Sequence, residues 1–313
     1  MSLHTIVGAG AVGSGTARRL ADAGHHVRVV TRSGTGPIHP NIELVTADAT
    51  DTARLTELVR DAHALYNCAN PPYDKWADAW PPLAAAFLRA AEATGARLVT
   101  MSNLYGFAPG TSPMTASGPL EPTTRKGRIR ADMWHDARTA HDAGRIRATE
   151  ARASDYFGPG LGETSHLGDR AVPRALAGKR ISMIGAVDVA HSWTYIDDVC
   201  TTLATLGTDD RALGRAWHVP TLPPRSATDM VAGLCAAAGV DPVKVVRMPT
   251  VALRLGAVFV PMVRELLEMR YQFDAPFEID STDTTETFGL TATPFDDQLR
   301  ATVDSYRAVS TPS

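Results

Sequence analysis

Leu3-His4-Thr5-Ile6-Val7-Gly8-Ala9-Gly10-Ala11-Val12-Gly13 is the stretch that decides the fold. Apolar, β-branched residues run up to Gly8, and an Ala-rich helical pattern starts at Ala11. Between them lies G-x-G-x-x-G in the strand–turn–helix setting it needs. The first glycine permits the tight turn, the second lets backbone approach a pyrophosphate, and the third lets helix pack on strand. The helix start offers free N–H groups and a positive dipole end to the phosphates. Gly8, Gly10, Ala11, Val12 and Gly13 are therefore expected to hold a dinucleotide.

Outward from this turn, the first half alternates short strands with helices. Strands are expected at Thr5–Val7, Val27–Thr31, Ile42–Val45, Ala64–Asn67, Arg97–Met101 and Ile146–Ala151. Helices are expected at Ala11–Ala23, Thr52–Asp61, Trp76–Thr94 and Thr124–Ala143, with Asp51 capping the second. Strands apolar on both faces and joined by helical crossovers imply a parallel, doubly wound α/β sheet of the Rossmann type. After about residue 155 the pattern loosens. A strand–helix unit at His191–Tyr195 and Asp197–Leu206, a strand at Ala216–Val219, and helices at Ala227–Ala238, Val251–Met269 and Phe295–Ala308 follow. The organisation expected is a dinucleotide-binding domain over 1–155 and a smaller, mostly helical substrate region over 156–313. Residues 190–208 are expected to return to the first domain's sheet.

The second strand ends Val29-Val30-Thr31-Arg32-Ser33, with no Asp or Glu to bond a ribose 2′-hydroxyl. Arg32 can pair a 2′-phosphate, with Thr31 or Ser33 adding hydroxyl bonds. NADP(H) is expected over NAD(H). The alternative for Arg32 is a solvated loop arginine.

At 313 residues the chain is long enough for a large core without disulfides. With 31 basic against 34 acidic residues, no global charge argues for nucleic acid or an anionic membrane. Cys68, Cys200 and Cys235 have no CxxC spacing, which fits a reducing cytoplasm and no zinc site. The ten histidines show no metal-ligand spacing, so no metal is expected. The Val251–Val263 run carries Arg254 and Pro261 and is too short for a bilayer. It reads as core or as a homodimer contact. The partner expected is a small-molecule substrate.

With these motifs in place, the chain resembles the extended, atypical branch of the short-chain dehydrogenase/reductases, the NAD-dependent epimerase/dehydratase-like proteins. Ala47-Asp48-Ala49-Thr50-Asp51 is similar to their acidic turn against adenine. Asn67-Cys68-Ala69-Asn70 is similar to the stretch that passes under the cofactor, and Ser102-Asn103-Leu104-Tyr105-Gly106 to their serine-rich strand end. Arg152-Ala153-Ser154-Asp155-Tyr156-Phe157-Gly158-Pro159-Gly160 is similar to their Arg-Pro-x-x-x-Tyr-Gly-Pro-Gly. His191-Ser192-Trp193-Thr194-Tyr195-Ile196-Asp197-Asp198-Val199 is similar to their late strand and helix start. The resemblance implies cofactor contacts at Asp48, Ala49, Cys68, Ala69 and Asn70. It implies substrate contacts at Asp155, Tyr156, His166, His191 and Trp193.

In that superfamily a Tyr-x-x-x-Lys pair on the helix after strand five performs the proton chemistry. The matching stretch here, Thr123-Thr124-Arg125-Lys126-Gly127-Arg128-Ile129-Arg130, has no Tyr. Lys126 stands at the Tyr position and Arg130 at the Lys position. The chain has only four lysines, so Lys126 invites a reason. It is either a general acid, its pKa lowered by burial beside Arg130, or a surface or phosphate-binding lysine. Arg130 can keep the ribose-binding role but cannot relay a proton. Tyr105 is the other candidate acid, or else a tyrosine packing its turn. Ser102 can orient a carbonyl, although it lies closer to Tyr105 than the family pattern has it. Three functions stay open: an NADP(H)-dependent oxidoreductase on a small carbonyl, alcohol or activated double bond; a nucleotide-sugar epimerase or dehydratase; and a cofactor-binding protein without turnover.

Overall fold

The computed structural model describes residues 1–249, 265 and 267–310. Six strands and four helices form the first half: β1 (Leu3–Val7), α1 (Ala11–Asp22), β2 (His26–Thr31), β3 (Ile42–Thr46), α2 (Thr52–Val59), β4 (Ala62–Asn67), α3 (Trp76–Thr94), β5 (Arg97–Ser102), α4 (Arg125–Asp142) and β6 (Arg147–Arg152). Each lies within two residues of its expected position. Local chemistry sets several ends. Asp51 accepts from Arg54 N at the start of α2, as expected, and Thr124 accepts from Gly127 N at the start of α4.

The second half adds β7 (Asp155–Phe157), α5 (Val172–Leu176), β8 (Ile181–Met183), β9 (Trp193–Tyr195), α6 (Ile196–Thr208), β10 (Ala216–His218), α7 (Ala227–Ala238), β11 (Val245–Arg247) and a C-terminal helix, Phe295–Ser310. The main sheet has seven parallel strands in the order β10-β6-β5-β4-β1-β2-β3. The order in which strands are added to the sheet reverses between β1 and β4, which opens a crevice at the carboxyl ends of those strands. One apolar layer, with Leu55, Trp80, Phe87 and Ala140, joins α2, α3 and α4 to the sheet. The other, with Leu20, Val29, Val199 and Leu203, joins α1 and α6 to it.

The return of residues 190–208 differs from expectation. Helix α6 does pack back on the sheet, but β9 does not join it. β9 pairs with β7, setting Asp155 opposite Trp193. The seventh strand is β10, beside β6. A second core, with Phe157, Val172, Ile181, Met230, Leu234 and Val303, gathers α5, β8, α7 and the C-terminal helix. The expected helix Val251–Met269, and the dimer contact read on it, lies outside the described residues except for 265 and 267–269. Further on, residues 277–280 strap the second half to the first. Phe277 N donates to Ala190 O, and Asp280 N donates to Met114 O. Among the described residues, no helix is long and apolar enough to cross a membrane.

Candidate active site

The glycine turn has the geometry of a phosphate cradle. Gly8 has φ +101°, and a Cβ there would lie 2.6 Å from the carbonyl oxygen of Cys68. The ends of β1 and β4 therefore close up only on glycine. A Cβ at Gly13 would overlap the Gly8 carbonyl oxygen. Gly10, the N-cap of α1, is different: its Cβ would meet nothing within 4 Å, and no side chain caps the helix. The open space lies where the first N–H groups of α1 lack intrahelical partners. These residues fit a dinucleotide's pyrophosphate.

Gly10→Val is expected to fold normally, because φ −66° and ψ −174° suit any residue. Its NAD(P) affinity is expected to fall by on the order of tenfold or more, since the branched side chain fills the cradle. Parallel thermal melts and cofactor titrations check this.

Thr31, Arg32 and Ser33 sit at the end of β2, with Arg32 and Ser33 exposed. Thr31 Oγ1 donates to Thr35 O, and Ser33 shares a hydroxyl hydrogen bond with Thr35. Asp48 accepts from the N–H and hydroxyl of Thr50. These bonds, with the Arg32 charge, hold its carboxyl below the usual range against a small opposing effect of burial. Ala49 is buried; Cys68 and Ala69 line the β4 end, with Asn70 exposed beyond them.

Tyr105 is aimed by the turn that leaves β5, where its N–H donates to Asn103 Oδ1. Its hydroxyl accepts from that of Tyr73 at 3.2 Å. Burial, then the nearby Asp155 charge, pushes the phenol up to about 12, while Arg130 pulls the other way. Tyr105 is thus a protonated donor at neutral pH. Tyr156 is likewise driven up by burial, against Arg130.

Arg130 is 7% exposed and stacks on Trp76 and Trp80, its guanidinium carbon 4.6 and 4.3 Å from the two rings. Nη1 reaches Met101 O at 3.4 Å, and Nε has no partner among the described residues. An under-satisfied buried guanidinium near Tyr105 and Tyr156 fits a ribose or substrate oxygen.

Lys126 departs from the expectation of a general acid. It is 2% exposed, so it is not a surface lysine either. Its ammonium bonds Glu265 and, at 2.8 Å, Glu268, and it lies 4.6 Å from the centre of the Tyr73 ring. The ammonium is thus engaged by an ion pair with two carboxylates. Ser102 is the last residue of β5. It is buried near the Glu150 carboxyl, which is paired with Arg152 at 2.7 Å. Burial raises the Glu150 carboxyl.

The expected substrate residues come together. His191 Nε2 lies 2.9 Å from Asp155 Oδ2. Phe273 stacks between His166, at 4.5 Å, and His191, at 5.2 Å. His166, His191, Trp193, Gln272 and Phe273 line a small recess. Burial holds His166 down at about 4, so its ring is neutral. Sequence reasoning missed Tyr73, Trp76, Trp80 and Gln272. Trp76 and Trp80 carried a signal: four residues apart on one helix, they present one aromatic face.

A family model for the NAD-dependent epimerases and dehydratases matches residues 5–219. The chain belongs to this family. No curated protein matches it. Among solved structures, the dTDP-glucose 4,6-dehydratase of Bacillus anthracis, in complex with NAD, superposes with a TM-score of 0.79 at 17% identity. The match covers 99% of this chain and 98% of that one. The UDP-glucuronic acid 4-epimerase of Bacillus cereus, in complex with NAD, gives 0.79 at 16% identity over 99% and 100%. The UDP-glucose 4-epimerase of Thermotoga maritima, with UDP-glucose, gives 0.78 at 13% over 99% and 100%. At these identities the likeness is one of fold. Family membership makes NAD(P)-dependent enzyme chemistry the ground on which function is read.

Proposed function

We propose that this epimerase/dehydratase-family protein binds NAD(P) along its glycine turn and interconverts a hydroxyl and a carbonyl on a substrate seated beside Tyr105. The observation that carries the reading is Tyr105 itself: a protonated phenol at the carboxyl end of β5, bonded to Tyr73 and next to the Arg130 cation. When bound, NAD(P) supplies the hydride acceptor or donor. Tyr105 gives or takes the hydroxyl proton. Arg130 holds a ribose or substrate oxygen and favours the phenolate when the proton leaves. Gly8, Gly10 and Gly13 seat the pyrophosphate.

Family membership and the sugar-nucleotide enzymes among the structural neighbours support an epimerase or dehydratase, in which the cofactor is recycled and not consumed. A second reading, a net reductase of a small carbonyl compound, is favoured by the small aromatic recess and by an α4 that lacks Tyr. Arg32, with no acid at positions 31–33, supports NADP(H) over NAD(H) in either case.

One experiment set tests these readings. NADPH is expected to bind tighter than NADH, and tighter NADH binding would reverse the preference. Turnover of UDP- and dTDP-hexoses without loss of NADPH absorbance supports the first reading. Steady NADPH loss with small aldehydes or ketones supports the second. Failure to bind either cofactor would sink both.

A further inference from the structure

We infer that Tyr73 is a positioning residue for the proton chemistry: its hydroxyl donates to the Tyr105 oxygen and steadies the charge left there when the Tyr105 proton is given up. The inference deepens the proposed function and rests on it for the role of Tyr105.

Three observations combine. First, the hydrogen bond between the two phenols has a direction. The Tyr73 O–H donates and the Tyr105 oxygen accepts, at 3.2 Å. The proton of Tyr105 is not used in this bond, so it is left for a substrate oxygen.

Second, the two rings come from different loops and are braced against each other. Pro71 and Pro72 lead into a single turn at Tyr73–Lys75. Lys75 N donates to Pro72 O, and the Trp76 indole N–H donates to Pro71 O, which fixes the turn on the start of α3. Tyr73 meets Trp76 edge-on at 5.1 Å, and Trp76 lies 6.0 Å from Tyr105. The Lys126 ammonium sits 4.6 Å from the centre of the Tyr73 ring. The side chain that stands at the family's tyrosine position thus braces the phenol that touches Tyr105.

Third, the pair ionises in one order. Burial raises both phenols. Their hydrogen bond then splits them, raising Tyr73, the donor, and lowering Tyr105, the acceptor. A phenolate in this pair forms on Tyr105, with Tyr73 still protonated beside it. When Tyr105 takes the proton of a substrate hydroxyl, Tyr73 keeps its own, and no proton passes along the pair. The bond from Tyr73 is stronger to the charged oxygen than to the neutral one, so it acts on the proton transfer as well as on the placement of the ring.

The test uses the full chain with a ring-fluorinated tyrosine placed at position 105. Fluorine draws charge from the ring and brings the ionisation down into a range where the fold survives, and the fluorine NMR shift reports that ring alone. Tyr73→Phe is expected to lower the ionisation constant at position 105 by about 10–100-fold, the range of one hydrogen bond to a charged oxygen. In turnover of the UDP-hexose or small-aldehyde probes by the unlabelled protein, Tyr73→Phe is expected to lower kcat/KM by about 3–10-fold, because rate follows acidity only in part. Tyr73→Leu removes the same hydroxyl with a different shape and serves should the first variant not fold. An unchanged ionisation constant in a folded variant overturns the inference, even where the rate falls, because Tyr73 is then a packing residue. A lowered constant with an unchanged rate overturns it as well. Turnover lost in Tyr105→Phe, with the constant unchanged in Tyr73→Phe, leaves the proposed function standing. Full turnover in Tyr105→Phe takes both down, since Tyr73 then has no donor to serve.

Discussion

Lys126→Met is expected to lower the unfolding free energy by about 2–4 kcal/mol at neutral pH, read from urea denaturation. The buried ammonium answers two carboxylates, and removing one side of a buried ion pair leaves the other uncompensated at roughly 3–5 kcal/mol. Glu265 and Glu268 keep 22% and 25% of their side-chain surface, so solvent softens that figure. The pH dependence follows from Glu268. Burial raises its carboxyl, but the hydrogen bonds and charge of Lys126 and the N–H groups of Arg125 and Lys126 bring it below its ordinary value. A carboxyl depressed in the folded state stabilises the fold above its unfolded pKa. That stabilisation is lost as pH falls through the folded value. The gap between wild type and Lys126→Met is therefore expected to close below the ordinary carboxylate range. Adding Glu268→Gln to the variant should recover part of the loss, because the carboxylate that faced the ammonium is then neutral. No recovery, with a gap that ignores pH, would make Lys126 a packing residue alone.

The same ion pair shows where sequence reading stops. The first six strands follow from local signals: β-branched runs, a glycine turn, Asp51 as a cap. Each signal lies inside the element it defines. The partners of Lys126 lie 139 and 142 residues along the chain, and nothing near Lys126 announces them. Ser102 is similar. Its place at the end of β5 is legible, but its position opposite Arg152 depends on β5 and β6 being neighbours in register. The late strands escaped for a different reason. β8 and β11 have three residues each, too few for alternation to register, and they pair only with each other. β9 reads as a sheet strand because a helix follows it, as in the strand–helix units of the first half. Its partner is β7, another three-residue strand that carries no pattern of its own. At the site, Asp155 and His191 were each legible as crevice residues. Their pairing was not, because it needs β7 and β9 side by side.

Tyr105→Phe is expected to cut turnover by about 10²–10⁴-fold, the usual share of a positioned acid or base. It removes one oxygen and leaves the ring against Trp76, so the structural cost is small. The lost bond to Tyr73 is worth about 1 kcal/mol. Cofactor affinity is expected to stay within about twofold, because the glycine cradle does not touch this hydroxyl. The pH profile gives a sharper check. Burial and the Asp155 charge push the Tyr105 phenol up to about 12, so the acid form is fully populated through the neutral range. In the direction that needs a proton donor, the wild-type rate should carry no Tyr105 ionisation at neutral pH. In the direction that needs a base, the rate should climb as pH rises toward that value, since only the phenolate accepts. Tyr105→Phe should lose the climb along with the rate. Tyr73→Phe separates position from chemistry. It removes the hydroxyl partner but keeps the Tyr105 phenol, so it should cost less and keep the climb. Full turnover in Tyr105→Phe would move the proton chemistry away from the end of β5. Equal losses in both variants would mean that the pair acts by shaping the crevice rather than by moving a proton.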